Sequence, residues 1–396
     1  MTLPETCTQI LVRGISTMTR KYSVIDADGH VLEPLDLWTR YIDPKFRDRA
    51  PRLIPTPDGR EVFHVDAEFS VSFGKMPNGF ATLGSVGMRD GESSKGDSYT
   101  DGRAGGFDPH KRIPDMDSEG IDAAFLYPSL GLNLGGIRDS NVSTATFRAY
   151  NRWLADYCSP YPDRLFGVAM IPLQSVEDAV EEIKFASKTL GFRGGFIRPN
   201  PYNGKPLHNP DNDPVWRIAQ ELDFSIGLHG GNSDDRMPAW VEDRYTEGYS
   251  AKHCTKHTLQ MIAAITSFVM SGICERFPKL KVGFLESGGG WVAGWLDRMD
   301  RHFEDKGLND TILTAPPSEI FRRQCFISFE PVERTLPLLA DYVGRTNILW
   351  ATDYPHADGF VNAPQMIRNL GLSPAVLTDV LATGAKRFYG LEQTAA

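Results

Sequence analysis

Tyr22-Ser23-Val24-Ile25-Asp26-Ala27-Asp28-Gly29-His30 reads as a short apolar strand running into a polar turn. Residues i and i+2 on a strand point the same way, so Asp28 and His30 can address one ion together. A carboxylate and an imidazole both suit borderline divalent metals such as Zn²⁺ or Mn²⁺. Gly29 between them lets the backbone turn sharply. An Asp/Gly turn after a strand is also a common feature with no ligand role, so the stretch is decided by what surrounds it.

Working outward, short apolar or β-branched runs recur at Tyr22–Ile25, Ala123–Tyr127, Leu165–Ile171, Gly194–Ile197, Phe224–Leu228, Lys281–Leu285, Cys325–Phe329 and Asn347–Ala351. Amphipathic helical stretches separate most of them: Val176–Leu190, Pro214–Leu222, His257–Phe277, Trp291–Phe303 and Pro331–Val343. Strands alternating with helices imply parallel β/α units, and eight units imply a closed (β/α)₈ TIM barrel of the α/β class. The rival is an open doubly wound sheet. It needs a Gly-rich phosphate turn after the first strand, where this chain carries Asp-Gly-His.

Residues 1–20 read as a flexible leader, and 21–396 as one barrel domain. A long insertion after strand one, about residues 52–110, contains a hairpin strand at Glu61–Val65 and a polar loop over 84–106. Such insertions sit on the functional face of a barrel as lids or subunit contacts. Pro374–Leu391 reads as one or two closing helices. No internal repeat is evident.

Composition excludes several partners. Net charge is −9 and no Lys/Arg block exceeds a few residues, which argues against nucleic acid and anionic membranes. The longest apolar stretch, Leu259–Ile273, is interrupted by Gln260, Thr266 and Ser267 and falls short of a membrane span. The N-terminus lacks a charged segment followed by an apolar one, so no signal peptide is read there. Cys7, Cys158, Cys254, Cys274 and Cys325 are scattered without a Cys-x-x-Cys pair, consistent with a reduced, cytoplasmic protein.

The predicted strand ends are unusually polar. Strand one delivers Asp28 and His30, strand four Arg198 and Asn200, and strand five His229. Strand six delivers Glu286, strand seven Ser328 and Glu330, and strand eight Asp353. In barrels, chemistry gathers at this rim. Each residue has a plain alternative: His229 as a core histidine, Asp353 or Glu286 as a helix cap, Arg198 as a rim salt bridge. Their convergence on one rim favours the functional reading. Arg198 there can pair with a substrate carboxylate.

His253 and His257, one turn apart, can face the pocket under a loop over residues 232–252 that includes Trp240 and Tyr245. His257 is an alternative proton donor, and two His at i, i+4 can also hold metal. His356 can support Asp353, contact substrate or be simply structural. His64, His110, His208 and His302 read as ordinary packing or surface residues. Gly96-Asp97-Ser98-Tyr99-Thr100-Asp101-Gly102 resembles a Gly-Asp-Ser nucleophile block. It lacks the buried strand before it that would hold the Ser on a turn.

From residue 22 to 391 the chain resembles the amidohydrolase-related metal-dependent enzymes, in the branch of aminocarboxymuconate semialdehyde decarboxylase and the dihydroxybenzoate (resorcylate) decarboxylases. Four stretches carry the resemblance: Ile25-Asp26-Ala27-Asp28-Gly29-His30, Met116-Asp117-Ser118-Glu119-Gly120-Ile121-Asp122, Phe277-Pro278-Lys279-Leu280-Lys281-Val282 and Thr352-Asp353-Tyr354-Pro355-His356. The resemblance implies a barrel holding one divalent ion, Zn²⁺ or Mn²⁺, on Asp28, His30, His229 and Asp353. The family often has His at the first of these positions, where Asp28 stands.

Decarboxylases of this family usually place a catalytic His after strand six. Here Phe284-Leu285-Glu286-Ser287-Gly288-Gly289-Gly290 puts Glu286 in that position. Glu286 can be a general acid/base, orient the substrate or extend the metal shell. The expected function is non-oxidative decarboxylation of a small aromatic or unsaturated carboxylic acid, with Asp353, Glu286 and His257 as catalytic groups and Arg198, Asn200 and His356 contacting substrate. A metal-dependent hydrolase of an amide, ester, lactone or C–C bond is the alternative, and a non-catalytic barrel a third class that the complete ligand set argues against. The insertion and family habit suggest a homodimer.

Overall fold

A computed structural model of the chain describes residues 20–57, 61–66, 69–71, 79–85, 98–230, 244 and 249–391. The expected leader (residues 1–19), most of the polar loop of the insertion and the loop bearing Trp240 and Tyr245 lie outside the described residues.

Strand β1 (Ile25–His30) is followed by the insertion strands β2 (Arg52–Pro55), β3 (Glu61–Asp66) and β4 (Phe69–Val71). Seven more follow: β5 (Ala123–Tyr127), β6 (Leu165–Met170), β7 (Gly194–Ile197), β8 (Ser225–Leu228), β9 (Val282–Phe284), β10 (Cys325–Phe329) and β11 (Ile348–Trp350). An eight-stranded sheet runs in the order β1-β5-β6-β7-β8-β9-β10-β11, each neighbour pair parallel, with helices between. This is the expected (β/α)₈ barrel. Nearly every strand residue is buried, because one face looks into the barrel and the other onto helices. The first and last strands meet through His30 N–H donating to Tyr354 O (2.7 Å) and Thr352 N–H donating to the Asp26 carboxylate (3.1 Å).

Several boundaries differ from the sequence reading for local reasons. Strand one begins at Ile25, not Tyr22, because the amides of Ser23 and Val24 donate to the Asp122 carboxylate instead of to a neighbouring strand. It continues through His30, with a register shift between Asp26 and Gly29, so Asp28 and His30 are strand residues and not a turn. The predicted helix at His257–Phe277 is Tyr249–Phe268 followed by a short Ile273–Arg276 turn, the break marked by Gly272 at φ 79°. The helix predicted from Pro331 starts at Leu336. Before it, Glu333 turns its carboxylate back onto the amides of Gly289, Gly290 and Glu330.

The insertion forms an antiparallel three-stranded sheet whose Phe63 packs on Trp38 (5.6 Å between ring centroids). Glu33 fastens this region to the barrel. Its buried carboxylate accepts the amides of Ser129, Leu130 and Gly131 (2.8–3.1 Å) and the Tyr99 hydroxyl (3.3 Å). Ser98 caps the turn at Tyr99–Asp101 and donates to Glu61, a structural role that disposes of the nucleophile-block resemblance. The tail closes the barrel with Pro374–Thr378, a π-helical turn Asp379–Thr383 and Gly384–Tyr389. Among the described residues no helix is long and apolar enough to cross a membrane.

Candidate metal centre

Asp28 and His30 stand at the C-terminal end of β1, both fully buried. Nδ1 of His30 lies 2.7 Å from the Pro128 carbonyl, which needs a proton on that nitrogen and leaves Nε2 as a bare lone pair. The His30 ring is stacked on His356 at 4.1 Å. Beneath the pair, Asp26 accepts from Thr352 Oγ1 (2.5 Å), Thr352 N (3.1 Å) and Asp28 N (3.4 Å). Arg112 donates to the His30 carbonyl and lies over the Tyr354 ring at 4.4 Å. Asp26 therefore braces both ends of the ligand-bearing backbone, a role the sequence reading did not assign although the residue lies in its opening motif.

Gly29 is needed for space, not for a turn. A Cβ there would sit 2.7 Å from Arg112 Nη2 and 2.8 Å from Asp26 Oδ2. Gly29→Ala is expected to displace one of these buried charged groups, at a cost of about 1–3 kcal/mol. It should also weaken divalent-ion retention, read by thermal melting alongside metal analysis of the same sample.

His229 follows β8. Its Nδ1 lies 2.7 Å from the Gly230 carbonyl, so its Nε2 is also a lone pair. Asp353 follows β11 with φ 54°, a left-handed backbone that Asp tolerates better than most residues. Three of the four expected ligands, Asp28, His30 and His229, bring their ligand atoms within 4.8 Å of one another, with His30 Nε2 3.9 Å from Asp28 Oδ1 and His229 Nε2 3.7 Å from Asp28 Oδ2, while Asp353 Oδ1 lies 3.3 Å from His30 Nε2 and groups with His30 and His356. Asp28 Oδ1, His30 Nε2 and His229 Nε2 are all buried without a hydrogen-bond partner, and Asp353 Oδ1 is buried with His356 Nδ1 2.9 Å away. Leaving such groups unpaired is costly, and a cation among Asp28, His30 and His229 satisfies three of them at once. Edges of this length fit donors each about 2.0–2.2 Å from a common ion.

The electrostatics agree. Burial pushes the Asp28 carboxyl well above the usual carboxylate range, with Glu286, Asp353 and Asp26 adding to it. Burial does the same for Asp353, helped by Asp358 and Glu286. Burial holds His30 well below the usual imidazole range, with His356 and His229 reinforcing it. The pocket lacks positive charge that its acidic groups call for.

Glu286 follows β9 with φ 49°, a strained backbone for Glu of the kind that gathers at functional sites. Its Oε2 lies 3.2 Å from His229 Nδ1 and 3.4 Å from His257 Nδ1, yet is buried without a hydrogen-bond partner. Both ring N–H groups are aimed at carbonyls instead, His257 at that of Glu286 itself (3.2 Å). Burial opposes the Glu286 charge, but His229 and His257 outweigh it and hold the carboxyl well below the usual range. In turn burial lowers His257, and Glu286 more than restores it, leaving the imidazole above its ordinary value. Gly230 makes room for that ring: a Cβ there would lie 2.7 Å from His257 Nδ1.

The other expected residues fall elsewhere. His356 offers Nε2 to Ser129 Oγ (2.8 Å) and Nδ1 to Asp353 Oδ1 (2.9 Å), so both ring nitrogens face protein. Arg198 donates to the Pro201 carbonyl (2.8 Å) and lies over the Tyr202 ring (4.5 Å), turned toward its own loop. Asn200 is half-buried in that loop. Neither lines the described cavity at the centre, whose walls include Asp28, Glu286, Ser328, Glu330, Asp353 and Asp358. Asp358 was not anticipated, since it lies beyond the end of the recognisable Asp353 motif. His64, His110, His208 and His302 pair locally with Ser70, Tyr161, Ser267 and the Arg298 carbonyl, away from the centre.

Residues 25–391 match the sequence pattern of the Amidohydrolase family. The chain is 25% identical over 291 residues to the 2-amino-3-carboxymuconate-6-semialdehyde decarboxylase of Dictyostelium discoideum, spanning 72% of this chain and 77% of that protein. Among solved structures it resembles an amidohydrolase from Mycobacterium avium subsp. paratuberculosis with a TM-score of 0.75 and 23% identity, covering 94% of this chain and 98% of that one. It also resembles a dihydroxybenzoic acid decarboxylase from Polaromonas sp., solved with bound manganese and the inhibitor 2-nitroresorcinol. That likeness has a TM-score of 0.60 at 22% identity, over 72% of this chain and 88% of that one. At these identities the structural likenesses speak to the fold.

Proposed function

The chain belongs to the Amidohydrolase family, and on that premise we propose that it is a metal-dependent, non-oxidative decarboxylase of a small aromatic or unsaturated carboxylic acid. The observation that carries the proposal is the set of three buried, unpaired donor atoms on Asp28, His30 and His229 at the barrel mouth, with Asp353 Oδ1 3.3 Å from His30 Nε2. These residues hold one divalent ion, Zn²⁺ or Mn²⁺. Two relatives described above are named decarboxylases, one of them solved with manganese. When bound, the ion supplies the positive charge that anchors and polarises the acid.

Decarboxylation converts R–COO⁻ and a proton into R–H and CO₂. The electron pair of the broken C–C bond becomes the new C–H bond, so one proton must reach that carbon. Glu286 and His257 are the proton reservoir: Glu286 raises the proton affinity of the imidazole, and the imidazole favours the ionised form of Glu286. Asp353, on the cavity wall, passes the proton between this pair and the substrate. His356 and Ser129 orient Asp353 from behind.

One observation favours a second reading. An ionised Glu286 between two imidazoles is equally suited to take a proton from water, which would make the protein a hydrolase of an amide, ester, lactone or C–C bond. Turnover in H₂¹⁸O separates the two. The decarboxylase reading expects CO₂ released stoichiometrically with an R–H product carrying no ¹⁸O and, in D₂O, one carbon-bound deuterium. Incorporation of ¹⁸O into the organic product without CO₂ would establish the hydrolase instead.

A further inference from the structure

We propose a second divalent-cation site beside the first, formed by His253, His257 and Glu286, through which excess Zn²⁺ inhibits the enzyme. His253 and His257 occupy positions i and i+4 on the helix Tyr249–Phe268, so their rings share a face. The ring centroids are 4.3 Å apart. Ligand atoms of His253, His257 and Glu286 all lie within 4.8 Å of one another, and so do those of Glu286, Asp353 and Asp358. Asp358 Oδ2 is 3.9 Å from His253 Nε2 and supplies a fourth donor at the rim.

Two features point to a cation and not merely to a hydrogen-bonded cluster. Glu286 Oε2 is buried without a hydrogen-bond partner. His257 is only 7% exposed, and its Nδ1 is engaged by the Glu286 carbonyl, leaving Nε2 as the ligand atom. This is the arrangement by which ligating imidazoles are oriented. Charge acts in the same direction. Asp28, Glu286, Glu330, Asp353 and Asp358 line the cavity, and among the described residues no Lys or Arg lines it. One divalent ion on the first site offsets two of these carboxylates and leaves the other three. Two imidazoles and a carboxylate select Zn²⁺ over Mg²⁺. The site is weaker than the first, because His253 and Asp358 are partly exposed, with side-chain exposures of 28% and 52%.

An ion held there engages Glu286 and His257 and withdraws them from proton handling. The inhibition, though not the binding, rests on the roles proposed for those two residues. The experiment uses the full chain loaded with one equivalent of ion and titrated with Zn²⁺, reading bound metal and activity together, with Mg²⁺ as control. The expected result is a second, weaker Zn²⁺ equivalent whose uptake tracks loss of activity, and no effect of Mg²⁺. His253→Ala and His253→Gln should keep basal activity and the first equivalent, while weakening the second by at least about 10–100-fold, the loss typical of removing even a supporting group. A wild type that stops at one equivalent, or His253 variants that bind and are inhibited as wild type, would overturn the proposal. A His253-dependent second equivalent with undiminished activity would establish the ion site and overturn the proton role of Glu286 and His257.

Discussion

Asp28→Ala is expected to yield protein that retains less than about a tenth of an equivalent of divalent ion and has lost at least about 10³-fold in kcat/KM, near 4 kcal/mol of transition-state stabilisation. Asp28 is buried, and its Oδ1 makes no hydrogen bond. It is also within 3.9 Å of His30 Nε2 and 3.7 Å of His229 Nε2. His229→Ala should behave alike, because its Nε2 is equally unpaired.

Melting curves distinguish a lost ligand from a broken fold. With ion removed, wild type holds a buried carboxyl pushed up by burial and three acidic neighbours, so Asp28→Ala stripped of ion should melt no lower than stripped wild type. With ion added, only wild type should gain, by about 2.7 kcal/mol when free ion is a hundredfold above Kd. Full metal content in both Asp28→Ala and His229→Ala would remove the basis of the site.

What the sequence made legible was set by range. Most of the barrel strands are short apolar runs, so their order and parallel pairing followed from local pattern, whereas β1 carries two Asp and a His within its paired length. Three features were hidden because they depend on partners far along the chain. Strand one starts at Ile25 because Asp122 takes the earlier amides. Asp26 acts through Thr352, and no local signal distinguishes a bracing carboxylate from a ligand two residues away. Glu33 joins Tyr99 to the turn at Ser129–Gly131, three segments whose convergence no periodicity encodes. Arg198, expected from its position after a strand to contact substrate, donates to the Pro201 carbonyl and lies over the Tyr202 ring, contacts to residues only a few positions on.

Glu286→Gln bears on the proton-handling step proposed for Glu286 and His257. The substitution keeps size and shape, and Gln bears the φ of 49° no worse than Glu, so the backbone at β9 should be unchanged. It removes the charge that raises His257 and the carboxylate that exchanges a proton with it. A positioned acid/base contributes about 10²–10⁴-fold, so kcat should fall by that factor while KM changes little. The first ion should stay bound, since Glu286 is not among the residues proposed to hold it. That combination, full metal content with a large kcat loss, separates proton handling from ion binding, which Asp28→Ala cannot do. His257→Gln should fall into the same range, and the double variant should lose little more than either single one, because the two groups act as one unit. If instead Glu286→Gln kept wild-type kcat with one ion bound, Asp353 would be left to carry the proton alone. The strained Glu286 backbone would then have to be explained by packing between His229 and His257.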